Sequence, residues 1–211
     1  HLFADDTNIY FSSKNLDLIE TFLNNELKNV SDWLSVNRLA LDVDKTNFVI
    51  FHSPKKKTEK NILLYIDGKP IEKTSSVKYL GILLDSNLSW KPHIYELSKK
   101  LSKSVGILSK LRYYLPINIL ILIYNSLIYS FLIYGIETWG QTFPSYLKPL
   151  VTLQKKAIKF ITFNDLTSHS EPILKTLKLL KFSDIIVFHT LKFVMLWQNN
   201  LLPPSFNNFF E

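Results

Sequence analysis

Two aspartates, Asp5 and Asp6, stand side by side in His1-Leu2-Phe3-Ala4-Asp5-Asp6-Thr7. Apolar or β-prone residues flank them, 2–4 before and 9–11 after, so the stretch reads as a short hairpin around the carboxylates. Unpaired carboxylates held this close repel and raise one another's pKa. A divalent ion removes that penalty, and hard oxygen donors suit magnesium. Two-metal phosphoryl transfer requires ions about 4 Å apart and a further carboxylate from another strand. Ten aspartates in 211 residues give about half of one such pair by chance, so the pair alone also reads as a solvated turn.

Three further groups could do chemistry on phosphates. Lys45 precedes a strand in Asp42-Val43-Asp44-Lys45-Thr46-Asn47-Phe48, where it could neutralise or protonate a leaving group; the alternative is a surface ion pair with Asp42 or Asp44. Lys78-Tyr79-Leu80-Gly81 offers a glycine that admits close backbone approach and an aromatic platform, against ordinary sheet packing. Lys99, Lys103 and Lys110 fall on one side of a helical pattern, and Lys148, Lys155 and Lys159 on one side of another. Such rows suit a phosphate backbone or are simply solvated faces. The five histidines are scattered, and the absence of cysteine excludes disulfides, thiolate zinc sites and a Cys nucleophile. That composition suits an intracellular protein.

The elements that must position these groups follow from periodicity. Ile19, Phe22, Leu23, Leu27, Val30, Trp33 and Leu34 recur at helical spacing, with Ser13 as the expected N-cap and Asn37 as the stop. A strand is expected over 47–52, a hairpin turning on Asp67-Gly68, and another strand over 76–85. After residue 87 the period becomes helical: 91–114, an uncharged stretch over 117–136, then 146–163 and 182–199. The uncharged stretch is long enough for a membrane span, but its Asn118, Asn125, Ser126 and Ser130 and lopsided flanking charges favour a buried helix. Strands and one helix followed by helices alone predict an α+β fold in two parts, 1–86 and 87–211. Formal charge runs −1 over 1–60, +5 over 61–116 and +3 over 117–211, within a net +7; basic surface favours polyanions.

In order, the FADD hairpin, the helix ending SDWLSVNRLAL, DKTNFVIF, VKYLGILLDSNLSWKPHI, SLIYSFLIYGIETWG and LQKKAIKFIT resemble the C-terminal half of reverse transcriptases of LINE-type (non-LTR) retrotransposons of the Jockey-like kind. The resemblance covers essentially the whole chain. It implies the end of a polymerase palm over 1–86 and an all-α thumb with its extension over 87–211. Asp5 would be the principal ligand of two Mg2+ ions, with Asp6 adjacent, and Phe3 replaces the commoner Tyr of that box. Lys45 would lie near the phosphates of the incoming deoxynucleoside triphosphate. Lys78, Tyr79, Leu80 and Gly81 would form the primer grip, and the basic helices would hold RNA template and DNA primer as an RNA–DNA hybrid, with no membrane involved. The family's other metal-binding aspartate, its fingers and its nucleotide-binding block are expected upstream of His1, so the chain reads as a fragment of an RNA-directed DNA polymerase, inactive by itself. Asp17, Asp32 and Asp42 do not match the missing block. The competing reading is a non-catalytic basic helical module that binds RNA or RNA–DNA hybrid.

Overall fold

The computed structural model describes residues 2–3, 6–55, 61–165 and 167–206, with backbone alone for residues 2, 3 and 6. The fold is α+β, and the chain divides into two compact units: His1–Tyr79 with Leu84–Leu88, and Leu80–Leu83 with Ser89–Glu211.

In the first unit, β1 (Leu2–Phe3) pairs antiparallel with β2 (Asp6–Thr7), Phe3 opposite Asp6. The second strand thus begins at Asp6, not at Ile9; residues 9–11 are irregular, and Phe11 instead stacks on Phe22, ring centroids 4.1 Å apart. Helix α1 (Leu16–Val36) is N-capped by Asn15, not Ser13: the Asn15 side chain accepts from the Asp17 N–H, and Ser13 Oγ accepts from the Asn15 N–H. Asn37 ends it as expected. A short 3-10 turn (Val43–Lys45) leads to β3 (Asn47–Phe48), which pairs in parallel with β6 (Glu72–Lys73). Between them β4 (Tyr65–Ile66) and β5 (Lys69–Pro70) form the Asp67-Gly68 hairpin. Both turn residues have positive φ, the geometry that an Asp-Gly pair favours.

Ile62, Leu64, Ile66 and Ile71 make the core of this unit, with Ile19, Leu23 and Leu27 of α1 packed against it. Polar groups on α1 fix the register. Asn24 donates to the Leu63 carbonyl and accepts from the Tyr65 N–H, and Ser31 donates to Asp67 at the hairpin turn, 2.6 Å away. The expected strand over 76–85 is instead a hairpin, β7 (Ser76–Tyr79) and β8 (Ile82–Asp85), turning on Leu80-Gly81. A mostly apolar run hides a turn when the tip glycine is its sole signal.

The second unit is helical. The stripe Ile94, Leu97, Leu101, Val105 and Leu108 of α2 (Lys91–Leu111) is buried as periodicity predicts. The uncharged stretch is not one helix. It comprises α3 (Ile117–Tyr124), a π turn (Asn125–Tyr129) and α4 (Ser130–Ile133), and after a break at Tyr134-Gly135 comes α5 (Ile136–Trp139). Its buried residues, Leu120, Tyr124, Ile128, Leu132 and Ile136, recur every fourth position. On an α-helix that spacing drifts by about 40° per step, and the wider π turn takes up part of the drift. Ser126 and Ser130 donate to the carbonyls four residues earlier, so their hydroxyls need no outside partner. Among the described residues no helix is long and apolar enough to cross a membrane.

Helices α6 (Pro144–Ile161), α7 (Ser170–Leu177) and α8 (Phe182–Gln198) complete the unit; α7 was not evident from periodicity. Gln154 is the polar hub, 2% exposed. Its Nε2 donates to the Tyr124 hydroxyl and the Leu180 carbonyl, and its Oε1 accepts from the Phe182 N–H at 2.8 Å. That N–H is one of the orphan donors at the start of α8, so a side chain from α6 does the work of a cap. Gln154→Leu removes the partner of all three groups, two of them buried, and urea unfolding of the variant should show a loss of about 2–4 kcal/mol.

Candidate functional site

β1 and β2 pair on either side of the segment that holds the aspartate pair. Asp6 opens β2, and Asp5 lies outside the described residues. Immediately beyond, Thr7 and Asn8 line a cavity of about 550 Å³ together with Tyr10, Phe48, Val77 and Tyr79. The first unit therefore gathers the end of the aspartate hairpin, the strand after Lys45 and the Tyr79 strand around one space. Tyr79 is half-buried and packs edge-on against Tyr10 at 6.2 Å. Burial first, then the hydrogen bond and charge of Tyr79, push the Tyr10 phenol up to about 12. Among the described residues, no group of three or more acidic or histidine side chains is clustered to hold a metal.

Lys45 closes the 3-10 turn and its Nζ meets Asp42 Oδ2 at 2.8 Å, with 85% of the lysine side chain exposed. The hydrogen bond to Asp42 raises the Lys45 pKa, and the same bond lowers that of Asp42. An ammonium held so is a stable positive charge rather than a proton donor at neutral pH.

The Lys78-Tyr79-Leu80-Gly81 segment is a tight turn. Leu80 and Gly81 have φ of 45° and 83°, the two positive values of a type I′ hairpin turn. A leucine in that region costs roughly 1–2 kcal/mol, so the surroundings must hold it. The Tyr134 hydroxyl donates to the Leu80 carbonyl at 2.6 Å. A Cβ on Gly81 would meet the Tyr134 ring at 3.3 Å, so glycine serves here both φ and close approach. Next along the strand, the Leu83 N–H donates to His93 Nδ1 at 3.3 Å, and the His93 ring lies 5.5 Å from that of Trp139. Tyr134 and His93 are the positioning residues that the linear pattern did not single out; Gly135, with φ of 60°, is the local signal that the chain breaks just after Tyr134. Lys78 is exposed on β7.

Lys99, Lys103 and Lys110 are exposed on α2, and Lys148 and Lys155 on α6. Lys159 departs from the expected row, being only 8% exposed. Helical angle alone puts it beside the others, but a helix face stays in solvent only where no later element covers it, and α7 packs on α6. Lys100 and Lys156 are exposed on the same two helices. Together α2 and α6 carry nine lysines and a single acidic residue, Glu96.

The chain is 26% identical, over 195 residues and 90% of its length, to the probable RNA-directed DNA polymerase from transposon X-element of Drosophila melanogaster, of which it covers 21%. It is also 26% identical, over 185 residues and 86% of its length, to the RNA-directed DNA polymerase from mobile element jockey of the same species, covering 20%. The chain thus spans about a fifth of the length of the curated relatives it matches. No protein-family model matches it, and no solved structure does. The resemblance to retrotransposon reverse transcriptases holds across nearly the whole chain.

Burial first, and then the charge of Lys100, lower the His93 pKa below its ordinary value. The unfolded chain therefore binds the proton more readily, and stability falls as pH drops below about 6.5 toward the native pKa. Thermal unfolding between pH 8 and 5 should show a steeper loss for the natural chain than for His93→Gln. Parallel curves would remove His93 as the source.

Proposed function

We propose that this chain is the closing part of the palm and the helical thumb of a retrotransposon RNA-directed DNA polymerase. The observation that carries the reading is its similarity to two such polymerases along nearly its full length. The order of its local devices supports it: an aspartate hairpin, a lysine turn, a tight Leu80-Gly81 hairpin and then basic helices.

In this reading Asp5 and Asp6 hold Mg2+. Their carboxylates are donors of the right type, yet two neighbouring groups are too few to fix two ions. Magnesium bound there would stabilise charge on the reacting phosphates. Lys45 contributes a permanent positive charge near the phosphates of the incoming nucleotide. Lys78, Tyr79, Leu80 and Gly81 grip the primer end, with Tyr134 holding the Leu80 carbonyl so that the turn presents its outer edge in one geometry. Exposed lysines of α2 and α6 neutralise the backbone of an RNA–DNA hybrid.

A second reading, a basic helical module that binds RNA or hybrid without catalysis, draws on the nine lysines of α2 and α6. Primer extension tests the expected inactivity. The isolated 211-residue chain, given RNA template, DNA primer, deoxynucleotides and magnesium, should incorporate nothing; incorporation that Asp5→Ala abolishes would overturn the expected inactivity. Both readings require binding of RNA or RNA–DNA hybrid. Replacing Lys103, Lys110 and Lys155 by Gln should weaken it and flatten the log–log salt dependence by about 0.9 for each phosphate no longer neutralised.

A further inference from the structure

Helices α2 and α6 run in the same direction. Their first turns enclose a groove of about 430 Å³, lined by Lys91, Pro92, Tyr95, Tyr146 and Pro149 among others. The volume is within the range of small-ligand sites. Tyr95 is 60% exposed despite its place in the groove. Lys99 Nζ lies 4.2 Å from the centre of the Tyr95 ring, and Lys91 Nζ lies 5.9 Å from the centre of the Tyr146 ring. Lys99 also meets Glu96 at 2.8 Å. Two aromatic rings, each with an ammonium beside it, therefore line one end of the most basic pair of helices, Tyr95 exposed and Tyr146 partly buried against the core. An apolar, proline-edged groove would also suit a proline-rich peptide, but a peptide of that kind has no charge to answer the lysines, whereas a nucleotide offers both an aromatic base and a phosphate.

We propose that this groove takes an unpaired nucleotide of a nucleic-acid strand, its base against Tyr95 and Tyr146 and its phosphate between Lys91 and Lys99. The inference rests on the nucleic-acid reading above and adds to it a preference for single-stranded ends. A lysine face alone reads charge and cannot distinguish a duplex end from an overhang; stacking needs an exposed base and tolerates any sequence.

Fluorescence anisotropy on the 211-residue chain tests this with three labelled RNA–DNA hybrids: one blunt, one with a short single-stranded overhang, and one with the same overhang made abasic. The natural chain should bind the normal overhang more tightly than either other probe. Tyr95→Ala/Tyr146→Ala should weaken overhang binding on the order of ten-fold while leaving blunt binding unchanged. Tyr95→Phe/Tyr146→Phe should bind like the natural chain, which separates the removal of stacking from a damaged fold. Equal affinity for the three probes overturns the proposal, as does an equal loss on blunt and overhang probes in the alanine variant. Displacement of the overhang by a proline decamer, with no dependence on the bases, would make the occupant a peptide and overturn it too. If no hybrid binds at all, the nucleic-acid reading itself fails, a result distinct from a hybrid that binds and ignores the two tyrosines.

Discussion

Burial of the apolar stripe of α2 against α6 is the constraint on which the second unit depends. Leu101 and Leu108 from one helix and Leu150, Ile158 and Ile161 from the other are fully buried. Once these side chains are inside, most of the lysines between them can only face water, because an unpaired buried ammonium is too costly. The basic face is in this sense a by-product of the core. The same packing sets the helices side by side in one direction, with Tyr95 and Tyr146 at one end and Arg112 over the Phe160 and Phe163 rings at the other. Gln154 then ties both Tyr124 of α3 and the chain entering α8, at Leu180 and Phe182, to this pair through three hydrogen bonds.

The Leu80-Gly81 turn shows the opposite economy. A leucine in the left-handed region is unfavourable by itself, and strain of this kind persists only when the neighbourhood over-determines it. Tyr134 does so twice, by bonding the Leu80 carbonyl and by filling the space a side chain at position 81 would need. Tyr134 is free to do this because the uncharged stretch stops being helical there, and Gly135 supplies the positive φ that turns the chain into α5. The hairpin that the polymerase reading assigns to the primer is thereby held from a residue far along the chain.

The aspartate hairpin is a different kind of feature. Strand pairing puts Phe3 opposite Asp6, which makes the hairpin real, but a metal site is defined by how many donors converge. The similarity to X-element and jockey polymerases extends over about nine-tenths of this chain and about a fifth of theirs.

The sequence by itself determined the α+β class, the long helices α1, α2, α6 and α8, the Asp67-Gly68 hairpin and the family resemblance. These rest on local periodicity, turn chemistry and the order of short blocks, none of which needs a neighbour in space. Tertiary structure alone decided the rest. The run over 76–85 became a hairpin because Tyr134 and His93 hold its tip and second strand. The uncharged stretch broke into α3, a π turn, α4 and α5 because a four-residue stripe must stay on one buried face. Lys159 left the basic row because a face is exposed only if nothing later packs on it. Tyr95 and Tyr146 are 51 positions apart and share a groove only because α2 and α6 pack in parallel, a relation that no periodicity within either helix encodes.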